Sequence, residues 1–233
     1  MNLPTGVRGG FFYAFLILFV IASIINLISG FLEKEKVRKI SKPFCLFFLS
    51  LAVILAVPHY PMLHIAALAG FIGDIILIWK DNKVCVGLGV VSFWIGHGLY
   101  IASMLQILYA GGAFASSPFA WAWMILYVVL LMMASVYPMS LITDHSKIFT
   151  TFGIFYSTIL VSVGVSAIMG CALGFANYFY LVIIGDVFFI ASDCILAYTI
   201  FIKDIKRRDF YIMLTYLLGQ AFILSGLVLT LLN

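Results

Sequence analysis

Three aspartates, Asp74, Asp186 and Asp193, lie inside long apolar stretches that hold no Lys or Arg to neutralise them. The other six acids, Glu33, Glu35, Asp81, Asp144, Asp204 and Asp209, lie in or beside polar segments. A charged side chain at the middle of a bilayer costs about 2.5–3.5 kcal/mol even on the mildest scale. Such a residue is expected to face the protein interior and to have a partner or a task. The chemistries open to this set are proton transfer between carboxyls, metal ligation together with His97, and hydrogen bonding that ties helices together.

Helical spacing brings further polar groups to the same depth. Asp74 is six residues before Lys80 and Asp193 ten before Lys203, so the two acids differ by about 6 Å in depth at 1.5 Å per residue. His97 falls near that level, with Tyr100 one turn further along the same face. Gln220 sits at the centre of the last apolar stretch, Tyr216 one turn before it, and Tyr156, Ser157 and Ser192 add hydroxyls. Asp186 shares a face with Asp193 but lies nearly two turns away. Gly73 and Gly185 precede two of the acids, and small residues let helices approach closely. The tripeptide Ile-Gly-Asp occurs at 72–74 and again at 184–186, each followed seven residues later by another Asp, which hints at a parallel repeat.

The elements that must position these groups follow from composition. Of 233 residues, 65% are hydrophobic and 9% charged, against roughly a quarter charged in a soluble domain. Lipid is therefore the solvent for most of the chain. Apolar runs near 20 residues, without strand-like alternation, predict helices. Eight are expected, at 11–31, 43–57, 62–79, 84–109, 119–141, 148–171, 178–202 and 210–232, forming an all-α membrane protein with a single transmembrane domain over 1–233. The first run is read as a retained helix, because its basic cluster follows it instead of preceding it.

Twelve of the 13 Lys and Arg residues fall on alternate connections: Lys34 to Lys42, Lys80 and Lys83, Lys147, and Lys203 to Arg208. The positive-inside rule makes those connections cytoplasmic and puts both termini outside. The net charge of +4 thus describes topology and not nucleic-acid binding. Cys45, Cys85, Cys171 and Cys194 are scattered, with no CxxC or ligand-like spacing.

The stretch Gly73-Asp74 with Leu77, followed by Phe93, His97 and Tyr100, resembles the first block of the YhhN-like membrane proteins, a family that includes the lysoplasmalogenases. Gly185, Phe189, Ser192 and Asp193 resemble its second block; Lys42-Pro43, Tyr156, Tyr216 and Gln220 also fall where the pattern places such residues. Asp186 departs from the pattern, in which that position is small or apolar. The resemblance implies hydrolysis of the vinyl-ether bond of a 1-alkenyl lysophospholipid to a fatty aldehyde and a glycerophospho-alcohol, with no cofactor.

That reaction needs one protonated carboxyl and one carboxylate, and a low-dielectric cavity can hold two carboxyls in those different states. Asp74 and Asp193 are expected to be the pair, with His97 orienting a carboxyl or the water. Tyr100, Tyr156, Asp186, Ser192, Tyr216 and Gln220 are expected around the substrate. Lys42, Lys80, Arg207 or Arg208 is expected to hold its phosphate. The expected partners are a lysophospholipid and the surrounding membrane lipids; the expected setting is a bacterial inner membrane. A Zn²⁺ site built from Asp74, Asp193 and His97 lacks an HExxH or paired-His spacing, so none is assigned. The alternatives are a proton-coupled transporter and a nonenzymatic lipid-binding bundle. Neither the third nor the seventh run has the Pro or multiple-Gly interruption that transporter helices show at their sites.

Overall fold

The computed structural model describes residues 3–79, 82–112, 125, 147–174 and 178–233. Within them the chain forms seven α-helices and no strands: α1 (Gly6–Phe31), α2 (Glu35–Ala56), α3 (Pro61–Ile76), α4 (Lys83–Ala110), α5 (Lys147–Ala172), α6 (Phe179–Phe201) and α7 (Arg208–Leu232). A 3-10 turn, Leu77–Trp79, extends α3. All seven are long and apolar enough to cross a membrane once that turn is counted with α3. The protein is an all-α membrane bundle. The fifth expected run, 119–141, lies outside the described residues apart from Ile125, so α5, α6 and α7 are the sixth, seventh and eighth runs of the sequence.

The distribution of side chains is inverted relative to a water-soluble bundle. Asn26, Ser50, Asp74, His97, Asp186 and Gln220 are buried, while Val7, Phe11, Ile17, Ile24 and Ile28 of α1 are exposed. Polar groups seek partners inside because hydrocarbon supplies none, and apolar side chains meet lipid at no cost.

One boundary differs from the sequence reading. The second helix starts at Glu35, not Pro43, and takes Lys36, Arg38, Lys39 and Lys42 into its first turns, with Pro43 inside it. Lys and Arg are good helix formers. The Lys39–Glu35 ion pair (2.6 Å) and the bond from Asn26 Nδ2 to Arg38 O (3.0 Å) support this turn, where Pro43 has no N–H to give. This places Lys42 on the helix, aimed into the bundle. At the other end of α2, the last carbonyls are satisfied from outside: Arg8 Nε donates to Leu55 O (2.7 Å), and His64 Nε2 to Val57 O (2.8 Å).

Helices α1 and α2, α3 and α4, and α6 and α7 form the most extensive pairs. The α6–α7 contact is a glycine seam: a Cβ at Gly185 would stand 2.6 Å from Ile223 N, and one at Gly219 would stand 2.9 Å from Phe189 N. Gly185 thus serves α7, whereas Gly73 makes room for the Phe93 ring, whose Cζ would lie 2.9 Å from an added Cβ. The two Ile-Gly-Asp copies therefore sit in different surroundings. Asp81, which completes the echo, lies outside the described residues.

Candidate active site

α3 carries Asp74 into the centre of the bundle, where it is 1% exposed. Two other helices reach it. Lys42 Nζ of α2 is 3.3 Å from Asp74 Oδ1, and the Tyr216 hydroxyl of α7 donates to Asp74 Oδ2 at 3.0 Å. Sequence reasoning assigned Lys42 to a substrate phosphate; here it is the counter-ion of Asp74. A buried carboxylate without such a partner would bear several kcal/mol of desolvation, of order 3–5 when one member of a buried pair is removed. An ion pair plus a phenolic donor fits the ionised form of Asp74.

α4 supplies His97 and Tyr100, both buried. Tyr100 donates to Gln220 Oε1 of α7 at 2.9 Å. Gly70 on α3 faces these groups: an added Cβ would stand in ordinary contact, 3.7 Å from Gln220 Nε2 and 3.9 Å from the Tyr216 hydroxyl. His97 Nδ1 lies 2.8 Å from Phe93 O, and because a carbonyl only accepts, that nitrogen carries the proton. The other nitrogen, Nε2, is buried and has no hydrogen-bond partner among the described residues. Its imidazole stands edge-on to Phe189 (centroids 4.3 Å apart), and Phe189 packs on Tyr216 (5.4 Å). Phe189 therefore links the His97 and Tyr216 sides of the cluster, a role not visible in its residue type.

α6 supplies Asp193, which is only partly buried. The Tyr156 hydroxyl of α5 donates to Asp193 Oδ2 at 2.6 Å. No Lys or Arg pairs with Asp193 among the described residues. The two acids thus have separate partner sets: Lys42 and Tyr216 for Asp74, Tyr156 for Asp193. Tyr216 is nevertheless packed on Phe189, one turn before Asp193 on α6. Ser192 turns away to bond Ile212 O of α7 at 3.0 Å, which makes it a helix tie. Asp186 faces α5 at Gly164 and is not part of the Asp74 cluster.

Among the described residues no three His, Cys, Asp or Glu side chains converge, so Asp74, Asp193 and His97 do not form a ligand set. α3 and α6 run without a break through Asp74, Asp186 and Asp193. Lys80 lies outside the described residues. Arg207 and Arg208 line an open cleft of about 520 Å³, together with Gly30, Glu33, Arg38 and Asp209, where α1, α2 and α7 meet.

What the arrangement offers chemically is a carboxylate balanced by a lysine, a second carboxyl held by a phenol, and an imidazole nitrogen with a lone pair to give. Comparisons with curated proteins and with solved structures returned no match. The family model of the YhhN family matches residues 37–227, a segment that holds Lys42, Asp74, His97, Tyr100, Tyr156, Asp193, Tyr216 and Gln220. The chain belongs to the YhhN family.

Proposed function

We propose that this protein is a membrane-embedded hydrolase that cleaves the vinyl-ether bond of single-chain 1-alkenyl lysophospholipids, with a bacterial inner membrane as its setting. The observation that carries this reading is the unequal treatment of two intramembrane carboxyls. Asp74 has a lysine counter-ion at 3.3 Å, and Asp193 has a phenol at 2.6 Å and no cation among the described residues. Unequal environments are what divide two carboxyls into an acid and a base.

In this reading Asp193 is the acid. It delivers its proton to the β-carbon of the vinyl ether, leaving an oxocarbenium ion at the α-carbon. The Asp74 carboxylate stabilises that cation and takes a proton from the water that adds to the α-carbon, giving a hemiacetal. As the hemiacetal collapses, the glycerol oxygen leaves with the proton from Asp74, and the hemiacetal hydroxyl returns its proton to Asp193. One water is consumed and both carboxyls are restored. His97 Nε2, a buried acceptor without a partner, is placed to orient the water.

Entry favours the α6 side. Asp74, His97, Tyr100 and Gln220 are each 1% exposed, whereas Asp193 is partly open. The alkenyl chain would approach Asp193 from the lipid, and the helices would part slightly to admit the vinyl ether. The phosphate would enter the cleft at Arg38, Arg207 and Arg208, where Arg38 lies one turn, about 6 Å, before Lys42, and would displace Asp209 from Arg38 and Asp204 from Arg208. The test is aldehyde release from alkenyl-lysophosphatidylethanolamine by purified protein in detergent. Wild type should release aldehyde, while Asp74→Asn and Asp193→Asn should not; full activity in both variants would remove the proposal.

A further inference from the structure

Glycine inside a helix is less stable than alanine, so a buried helical glycine commonly marks a place where a Cβ does not fit. The bundle keeps to that rule at every buried helical glycine among the described residues but one. At Gly185, Gly219 and Gly226 an added Cβ would meet a neighbouring backbone atom at 2.6–2.9 Å, and at the others some atom lies within 3.2 Å. Gly70, buried in α3, differs: nothing is nearer to its added Cβ than Gln220 Nε2 at 3.7 Å, Leu46 Cδ1 at 3.8 Å and the Tyr216 hydroxyl at 3.9 Å. The close approach of α4 does not call for it either. Gly96 comes up to the backbone of residue 70, its own added Cβ standing 3.9 Å from Gly70 N. Position 70 therefore has room for a methyl group at ordinary contact and carries none.

That room lies inside the polar cluster, one turn before Asp74 on α3. The two polar atoms beside it have defined roles. Tyr216 gives its proton to Asp74 Oδ2, so its oxygen has a lone pair left to accept with. Gln220 Oε1 takes the Tyr100 proton, so the opposite end of the amide, nearest Gly70, presents N–H groups. One neutral acceptor and one neutral donor suit a neutral group that can both give and take a hydrogen bond. Gln220 and Tyr216 are 1% and 4% exposed, which confines the space to something small. A water needs about 30 Å³ and two or more polar partners.

We propose that the space in front of Gly70 seats the water that the reaction consumes, donating to the Tyr216 oxygen and accepting from the Gln220 amide. There it waits one hydrogen bond from Asp74, the carboxylate that takes its proton. The fate of this water rests on the hydrolase reading; the seat itself does not.

The experiment uses the full chain as wild type, Gly70→Ala and Gly87→Ala. Gly87 is the control, an exposed glycine of α4 whose added Cβ would meet nothing within 4 Å. The first readout is NMR cross-relaxation between water and side-chain amides in protein labelled with ¹⁵N-glutamine. The chain has two glutamines, Gln220 and the exposed Gln106, and Gln220→Leu identifies their signals. The others are unfolding temperature and the kcat and KM of aldehyde release. Wild type should show a water contact at the Gln220 amide, and Gly70→Ala should lose it. Gly70→Ala should also unfold no lower than wild type, keep a near-normal KM and lose about 10²-fold in kcat, whereas Gly87→Ala keeps its kcat. No water contact at Gln220 in wild type, a contact that persists in Gly70→Ala, or full kcat in that variant would overturn the proposal. So would a Gly70→Ala chain that fails to fold, since a Cβ would then not fit. If wild type releases no aldehyde, the amide signals still decide whether the seat exists, and only the hydrolase reading falls.

Discussion

Lys42 of α2 and Asp74 of α3 form an ion pair at 3.3 Å with side chains 12% and 1% exposed, so the most deeply buried acid of the cluster carries its own counter-charge. The pair makes a charged carboxylate tolerable at this depth, and among the described residues it leaves Asp193 as the acid without a cation.

Removing the lysine should therefore injure stability as well as activity. Lys42→Met leaves Asp74 uncompensated and should cost about 3–5 kcal/mol. Lys42→Met with Asp74→Leu should recover most of that stability while remaining inactive. Thermal unfolding in detergent, read beside aldehyde release, checks both halves.

Tyr156→Phe deletes the donor to Asp193 and nothing else at the contact. A lost hydrogen bond to a charged or proton-sharing carboxyl is worth about 1.5–3 kcal/mol. The variant should thus lose about 10–100-fold in kcat, with a near-normal KM and an intact fold. Steady-state kinetics with circular dichroism on the same preparation decides it.

Tyr100 and Gln220 should behave as a coupled pair. Tyr100→Phe strands the buried Gln220 Oε1 and should destabilise by about 1–3 kcal/mol. Adding Gln220→Leu should give back part of the loss, so the two effects are non-additive. A double-mutant cycle on unfolding midpoints measures the coupling.

His97→Phe fills the same space against Phe189 but removes the Nε2 lone pair. The fold should survive, because among the described residues the bond surrendered is the one to the Phe93 carbonyl of the same helix. Activity should fall by about 10²-fold if the nitrogen orients water. Comparison of kcat with unfolding temperature separates the two roles.

The legible part of this molecule is the part governed by solvent. Runs of apolar residues announced the helices now seen as α1 to α7, with α2 legible only from Pro43 onward, because a span must be apolar wherever it meets lipid. Asp74, His97, Tyr100, Tyr156, Asp193, Tyr216 and Gln220 could be singled out for the complementary reason, that polar groups at that depth need partners. Which partner each one has was not legible. The Lys42–Asp74 pair depends on the basic cluster being helical through Pro43, a local choice that hydropathy does not encode.

Proton delivery by an intramembrane carboxyl to carbon is the central step of the proposed reaction. Hydrolysis of an alkenyl lysophospholipid in D₂O should place one deuterium at C2 of the released aldehyde with wild-type protein, and Asp193→Asn should release essentially none. Absence of aldehyde with wild type, or deuterated aldehyde formed at the wild-type rate by Asp193→Asn, would contradict it.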